Sequence, residues 1–136
     1  MKELKLAVRQ QMTNDSEYLA LMGVPTSTPF QTFYLQPDNT PTFPETVFHF
    51  GSTGYDRSQD RHLMAADIVL NIMVWSEDDS YEDIIDRIKV LFHHKTIGTT
   101  GAHAIIMNET DELKDEEFNV YGKQVSFNVY YRRPLL

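Results

Sequence analysis

The chain has 136 residues, no cysteine, and 12 Lys and Arg against 20 Asp and Glu, a formal net charge of −8. That length suits one domain over residues 1–136 with a single buried core, and the missing cysteines exclude disulfides, thiolate metal sites and cysteine nucleophiles while fitting an intracellular protein. The acidic balance repels polyphosphate and disfavours a dedicated nucleic-acid binder.

The opening segment "MKELKLAVRQQM" mixes charge with apolar residues, and no run of about 18 uncharged apolar residues occurs, so neither a signal peptide nor a membrane span is expected. Leu4, Ala7, Val8 and Met12 fall on one stripe at helical spacing and predict a first helix. A second, short helix follows, with Asn14 or Asp15 as its N-cap and Gly23 as its stop. Residues 24 to 44 carry five of the six prolines, which confine any strand there to a short piece near "QTFYL" and predict a long loop. Its aromatics, Phe30, Phe33, Tyr34 and Phe43, argue for a loop that docks against something.

"ETVFHF" reads as a strand ending at Gly51, residues 51 to 61 as a polar tip, and "HLMAADIVLNIMVW" as the returning strand of a long hairpin. In that second strand Ile68, Leu70, Ile72 and Val74 share one face and Val69, Asn71, Met73 and Trp75 the other, so both faces are at least partly apolar. Such a strand is covered twice within the monomer or has one side closed by a second subunit. Next, Ser80 and Asp83 have the spacing of a capping box, and Tyr81, Ile84, Ile85, Ile88, Leu91 and Phe92 form the buried stripe of a third helix. "AHAIIMNE" is a further strand, "DELKDEEF" a polar excursion, and the closing strand alternates Val125, Phe127, Val129 and Tyr131 with Gln124, Ser126, Asn128 and Tyr130. The order implies the α+β class: a mainly antiparallel sheet with a long hairpin and helices packed on one face.

The acids gather in two clusters, six between residues 77 and 86 and six between 109 and 117. The first lacks the glycine and terminal glutamate of a calcium loop, and its position before an apolar helix fits a solvated, dipole-matched helix start. The five histidines form no H-E-x-x-H or equivalent spacing, and His49 between Phe48 and Phe50 has no nucleophile nearby in sequence. No phosphate-loop, dinucleotide or serine-hydrolase motif is present, so neither a cofactor nor a catalytic residue is expected. Lys2, Lys5 and Arg9 in the first helix, and Arg132 and Arg133 at the last strand, are placed to meet acids on a neighbour.

The succession "LKLAVRQQMTNDSEYLALMGV", "DIVLNIMVWSEDDSYEDIIDRIKVLFHH", a strand, an acidic turn and "GKQVSFNVYYRRP" resembles the tail terminator proteins of long-tailed bacteriophages, also called tail completion or tail-to-head joining proteins. The resemblance lies in element order and spacing, above all in the strand running through "VWS" into a Tyr-containing helix. It implies a non-enzymatic virion protein, assembled in the host cytoplasm and located at the tail-head interface. There a homo-hexameric ring would cap the tail tube, stop its polymerisation and dock the head completion or connector protein. DNA would pass through the lumen without specific binding, and carboxylates on the wall would repel phosphate. Asp111, Glu112, Asp115, Glu116 and Glu117 are the candidate lumen acids, with the 77 to 86 cluster as the alternative. The candidate interface residues are Phe30, Phe33, Tyr34, Tyr55, Asp56, Arg57, Met73, Trp75, Arg132 and Arg133. Rival readings are another neck or tail component such as a head completion or tube protein, a small cellular enzyme with an acidic site, and a dimeric interaction module.

Overall fold

The computed structural model describes residues 2–23, 32–34, 43–57 and 63–134, with 32–34, 52–57, 63–67 and 131–134 described in backbone only. Its elements in chain order are α1 (Lys2–Thr13), α2 (Ser16–Met22), β1 (Thr32–Tyr34), β2 (Glu45–Arg57), β3 (Leu63–Ser76), α3 (Tyr81–Phe92), β4 (Lys95–Ile97), β5 (Ala102–Glu109), β6 (Leu113–Asp115) and β7 (Val120–Pro134). The strands form one sheet in the order β1-β2-β3-β7-β5-β4, and β6 pairs with β7 beside the end of β5. Every pairing is antiparallel except β1 with β2.

Alternation along the long strands sorts their residues onto two faces. On the inner face, Phe48, Leu70, Ile72, Val74, Val125, Phe127 and Val129 are fully or almost fully buried. They meet Leu4, Val8 and Met12 of α1, Tyr18, Leu19 and Met22 of α2, and Ile84, Ile85, Ile88 and Phe92 of α3 in one core. Phe92 and Phe127 pack ring to ring at 5.7 Å, joining the end of α3 to the central strand pair. The three helices therefore lie on one side of an α+β sheet, as the apolar patterns require. Helix α1 touches both β1 and β4, the two outermost strands, so it spans the sheet from edge to edge.

Polar side chains set the helix positions. Gln11 donates from Nε2 to the carbonyls of Leu91 and Thr96 and accepts the Gly98 amide at Oε1, tying α1 to the end of α3 and to β4. Asp15 caps α2 by accepting the Tyr18 amide at 2.8 Å, and Gly23 ends it in the left-handed conformation at φ 73°.

Four sequence expectations change. The hairpin does not stop at Gly51: β2 continues through Arg57, because Met64–Asp67 of β3 supply its hydrogen bonds and a bulge between Ser52 and Gly54 absorbs one extra residue. The capping box does not form, since Ser80 is itself helical at φ −64° and ψ −18° and makes no side-chain cap. Buried Ser76 does that work instead, accepting the Tyr81 amide at 3.0 Å while donating to the Asp78 carbonyl at 2.7 Å. The "DELKDEEF" excursion contains a strand, β6, which exists because Val120–Gly122 pair with it. Finally, β4 adds an edge strand after α3 where none was expected.

Candidate assembly surfaces

The two acidic clusters meet in space. Thr110 donates its amide to the Gln124 carbonyl and β5 ends there, beside the start of α3. Across this junction the buried Tyr81 hydroxyl donates to Glu112 Oε1, linking the helix cluster to the second cluster 31 residues later. Burial, then the Glu112 contact and the charges of Glu112, Glu82 and Asp79, push the Tyr81 hydroxyl pKa well up, so it stays a donor. Lys123 lies between Glu109 at 3.6 Å and Glu82 at 4.0 Å, and Lys89 bonds Glu109 from α3. Outside that bracing, Glu77, Asp78, Asp79, Asp111, Glu116 and Glu117 remain exposed at the same end of the molecule. The sequence clusters thus form a single acidic end, and its legible signal was the charge runs themselves.

Among the candidate lumen acids, Asp111, Glu112, Glu116 and Glu117 are exposed, whereas half-buried Asp115 accepts the amides of Glu117 and Phe118 and shapes the turn. Two large apolar residues protrude among them: Leu113 is 37% exposed and Phe118 46%, its ring 6.0 Å from that of Phe43.

None of the three helices covers the outer face of the sheet. Val47, Val69, Met73 and Trp75 are half-buried there, and Ile105 and Tyr130 are each 43% exposed. A polar ladder crosses its centre: Asn71 Oδ1 accepts from Ser126 Oγ at 2.7 Å and from Gln124 Nε2 at 3.3 Å, and the Asn71 amide lies 3.3 Å from His49 Nε2. His49 is therefore one rung of a structural network. An apolar surface with satisfied polar groups at its centre is suited to partial desolvation by a partner.

The candidate interface residues do not gather into one surface. Met73 and Trp75 sit on the outer face near the acidic end. Tyr55, Asp56, Arg57, Arg132 and Arg133 fall at the opposite end, where Asp56, Ala65 and Arg132 occupy one register row and Arg57, Met64 and Arg133 the next. Phe33 and Tyr34 lie on edge strand β1, and Phe30, like most of the 24 to 44 loop, lies outside the described residues. Sequence reasoning missed Arg87, whose guanidinium holds Asp15 at 2.7 and 2.8 Å and reaches Glu17 at 3.1 Å, locking α2 to α3. It also missed that His93 Nδ1 accepts the Ile106 amide at 3.0 Å, covering part of the β5 edge. Among the described residues, no three His, Asp or Glu side chains converge in a geometry that would hold a metal ion.

The architecture is that of a small α+β fold in which, among the described residues, no helix lies on one face of the sheet. No protein-family model matches the chain, and no curated protein matches it. Solved structures do: 17 chains match, among them a chain of the virion of a native gene transfer agent particle, with a TM-score of 0.69 at 13% sequence identity. The match covers 95% of this chain and 94% of that one. At that identity the shared property is the fold.

Proposed function

We propose that the protein is a structural subunit of a phage-like virion and, within it, a tail terminator or tail-to-head joining protein. Copies associate side by side into a ring, hexameric by the family resemblance, which caps the tail tube and presents its other side to a head completion or connector protein. The observation that carries this reading is the near end-to-end correspondence in fold with a virion chain. The outer sheet face, on which none of the three described helices packs, and an acidic end distinct from the net-positive α1 supply the unlike patches that a heterologous ring contact needs. The acidic end, including Asp111, Glu112, Glu116 and Glu117, fits a lumen wall that keeps DNA from sticking.

A head completion or tube protein would share much of this shape, and mixing the protein with purified tail tubes separates the roles. A terminator binds one end of each tube and halts further elongation by added tube subunits. Binding along the tube, or continued growth at both ends, would reject the terminator role.

A further inference from the structure

On the side of β5 away from β7, β4 pairs Lys95 with Ala104, Thr96 with His103 and Ile97 with Ala102. Extending that register by two residues sets His93 opposite Ile106. The backbone of His93 still belongs to the end of α3, where its amide bonds the Lys89 carbonyl at 2.9 Å. His94 turns the chain in the left-handed conformation at φ 58° and donates its amide to the Ala104 carbonyl at 2.9 Å. The His93 side chain supplies the next rung, its Nδ1 accepting the Ile106 amide at 3.0 Å. This rung stands at a weak point, because the pairing of β5 with β7 shifts register between Ile106 and Asn108.

A neutral imidazole accepts at Nδ1 when its proton sits on Nε2, whereas the imidazolium has two donors and no acceptor. No rotation of a protonated ring would therefore restore the bond. The surroundings also oppose a positive charge on half-buried His93. The His94 ring lies 4.1 Å from it, and the His103 ring of β5 lies 6.5 Å from that of His94. One turn back on α3, Lys89 holds Glu109 of β5 and reaches Asp86 at 3.7 Å, and Lys123 of β7 also takes Glu109. Lys95 begins β4 two residues on, and the α1 side chain that reaches this end of α3 is the neutral Gln11. Among the described residues these carboxylates are engaged by lysines, and none is paired with His93.

We propose that His93 is an acid-sensitive latch on β5: neutral, it pins Ile106 to the end of α3, and protonated, it releases that amide and opens the strand edge. The residues on either side, Ile105 and Met107, are 43% and 52% exposed. An open edge flanked by apolar side chains is a template for pairing with another chain. The sign follows from linkage, since the released state binds the second ring proton more readily than the latched state. Latching is complete well above the ordinary imidazole value of about 6.5 and is lost as pH falls below it.

Hydrogen exchange of the Ile106 amide in the full chain, divided by the intrinsic rate at each pH, tests the latch. Opening of that amide should rise about tenfold between about pH 7.5 and about pH 5, in step with protonation of the His93 ring followed through its nitrogen NMR signals. His93→Asn places an acceptor near the position of Nδ1 without titrating, and His93→Ala has no acceptor. In both variants opening should be the same at the two pH values, whatever protection each starts from, and circular dichroism shows that they are folded. A rise that persists in His93→Ala, or a wild-type ring that takes up its proton while Ile106 exchange stays constant, would overturn the latch.

Discussion

Gly122→Ala should destabilise the protein by about 3 kcal/mol or more, among the largest effects available from one methyl group. Gly122 pairs with Trp75 across the β3–β7 ladder, and an added β-carbon would stand 2.3 Å from the Val74 carbonyl oxygen and 2.7 Å from Trp75 Cε3. The nearest atom is backbone in the central strand pair, which cannot move without breaking neighbouring hydrogen bonds. The Trp75 ring itself lies over the glycine, so relief by rotating it would disturb the outer face. Thermal or urea unfolding monitored by tryptophan fluorescence measures the loss directly, since the chain has one tryptophan. A stability within 1 kcal/mol of wild type would show that β3 and β7 are not in this register.

Asp15→Ala should cost about 2 to 3 kcal/mol, because one carboxylate performs two tasks. It caps α2 through the Tyr18 amide and receives the Arg87 guanidinium through both oxygens, with side-chain exposures of 16% for Asp15 and 23% for Arg87. Removing it frays a seven-residue helix and leaves Arg87, among the described residues, with the exposed Glu17 as its carboxylate partner. The hydrogen bond from Arg87, reinforced by the Tyr18 amide and the Arg87 charge, holds the Asp15 carboxyl pKa below its ordinary value. The unfolded chain therefore takes up this proton first. The stabilisation is complete above about pH 4 and is lost as pH falls through the lower folded value. Urea midpoints measured between neutral and acid pH should fall for the wild type in that window. Asp15→Asn should show a shallower fall, with a remainder from groups such as Asp78, which Ser80 also holds below the usual range.

These two sites mark where sequence reading runs out. The apolar periods of α1, α3 and β7 identify core positions because burial acts on each residue through its own face: Ile84, Ile85, Ile88, Val125, Phe127 and Val129 are all buried as the spacing requires. Gly122 carries no such signal, since its necessity arises from Trp75 on a strand 47 residues away in the chain. The Arg87–Asp15 pair spans 72 residues, and β6 is made by its partner strand with little contribution from its own polar sequence. The cap on α3 moved from Ser80 to Ser76 for a related reason, because the path of the chain out of β3 decides which hydroxyl reaches the Tyr81 amide. Acidic runs were visible as charge, but the contact between Tyr81 and Glu112 and the bridging of Glu82 and Glu109 by Lys123 make them one end of the molecule. The candidate surfaces were thus legible as composition, while their arrangement depended on long-range pairing.

Native mass spectrometry of the purified chain, alone and mixed with tail tubes, tests the central claim most directly. A closed assembly of one fixed copy number, about six, is the expected result, formed in solution or at the tube end. A chain that stays monomeric or dimeric in both conditions would contradict it.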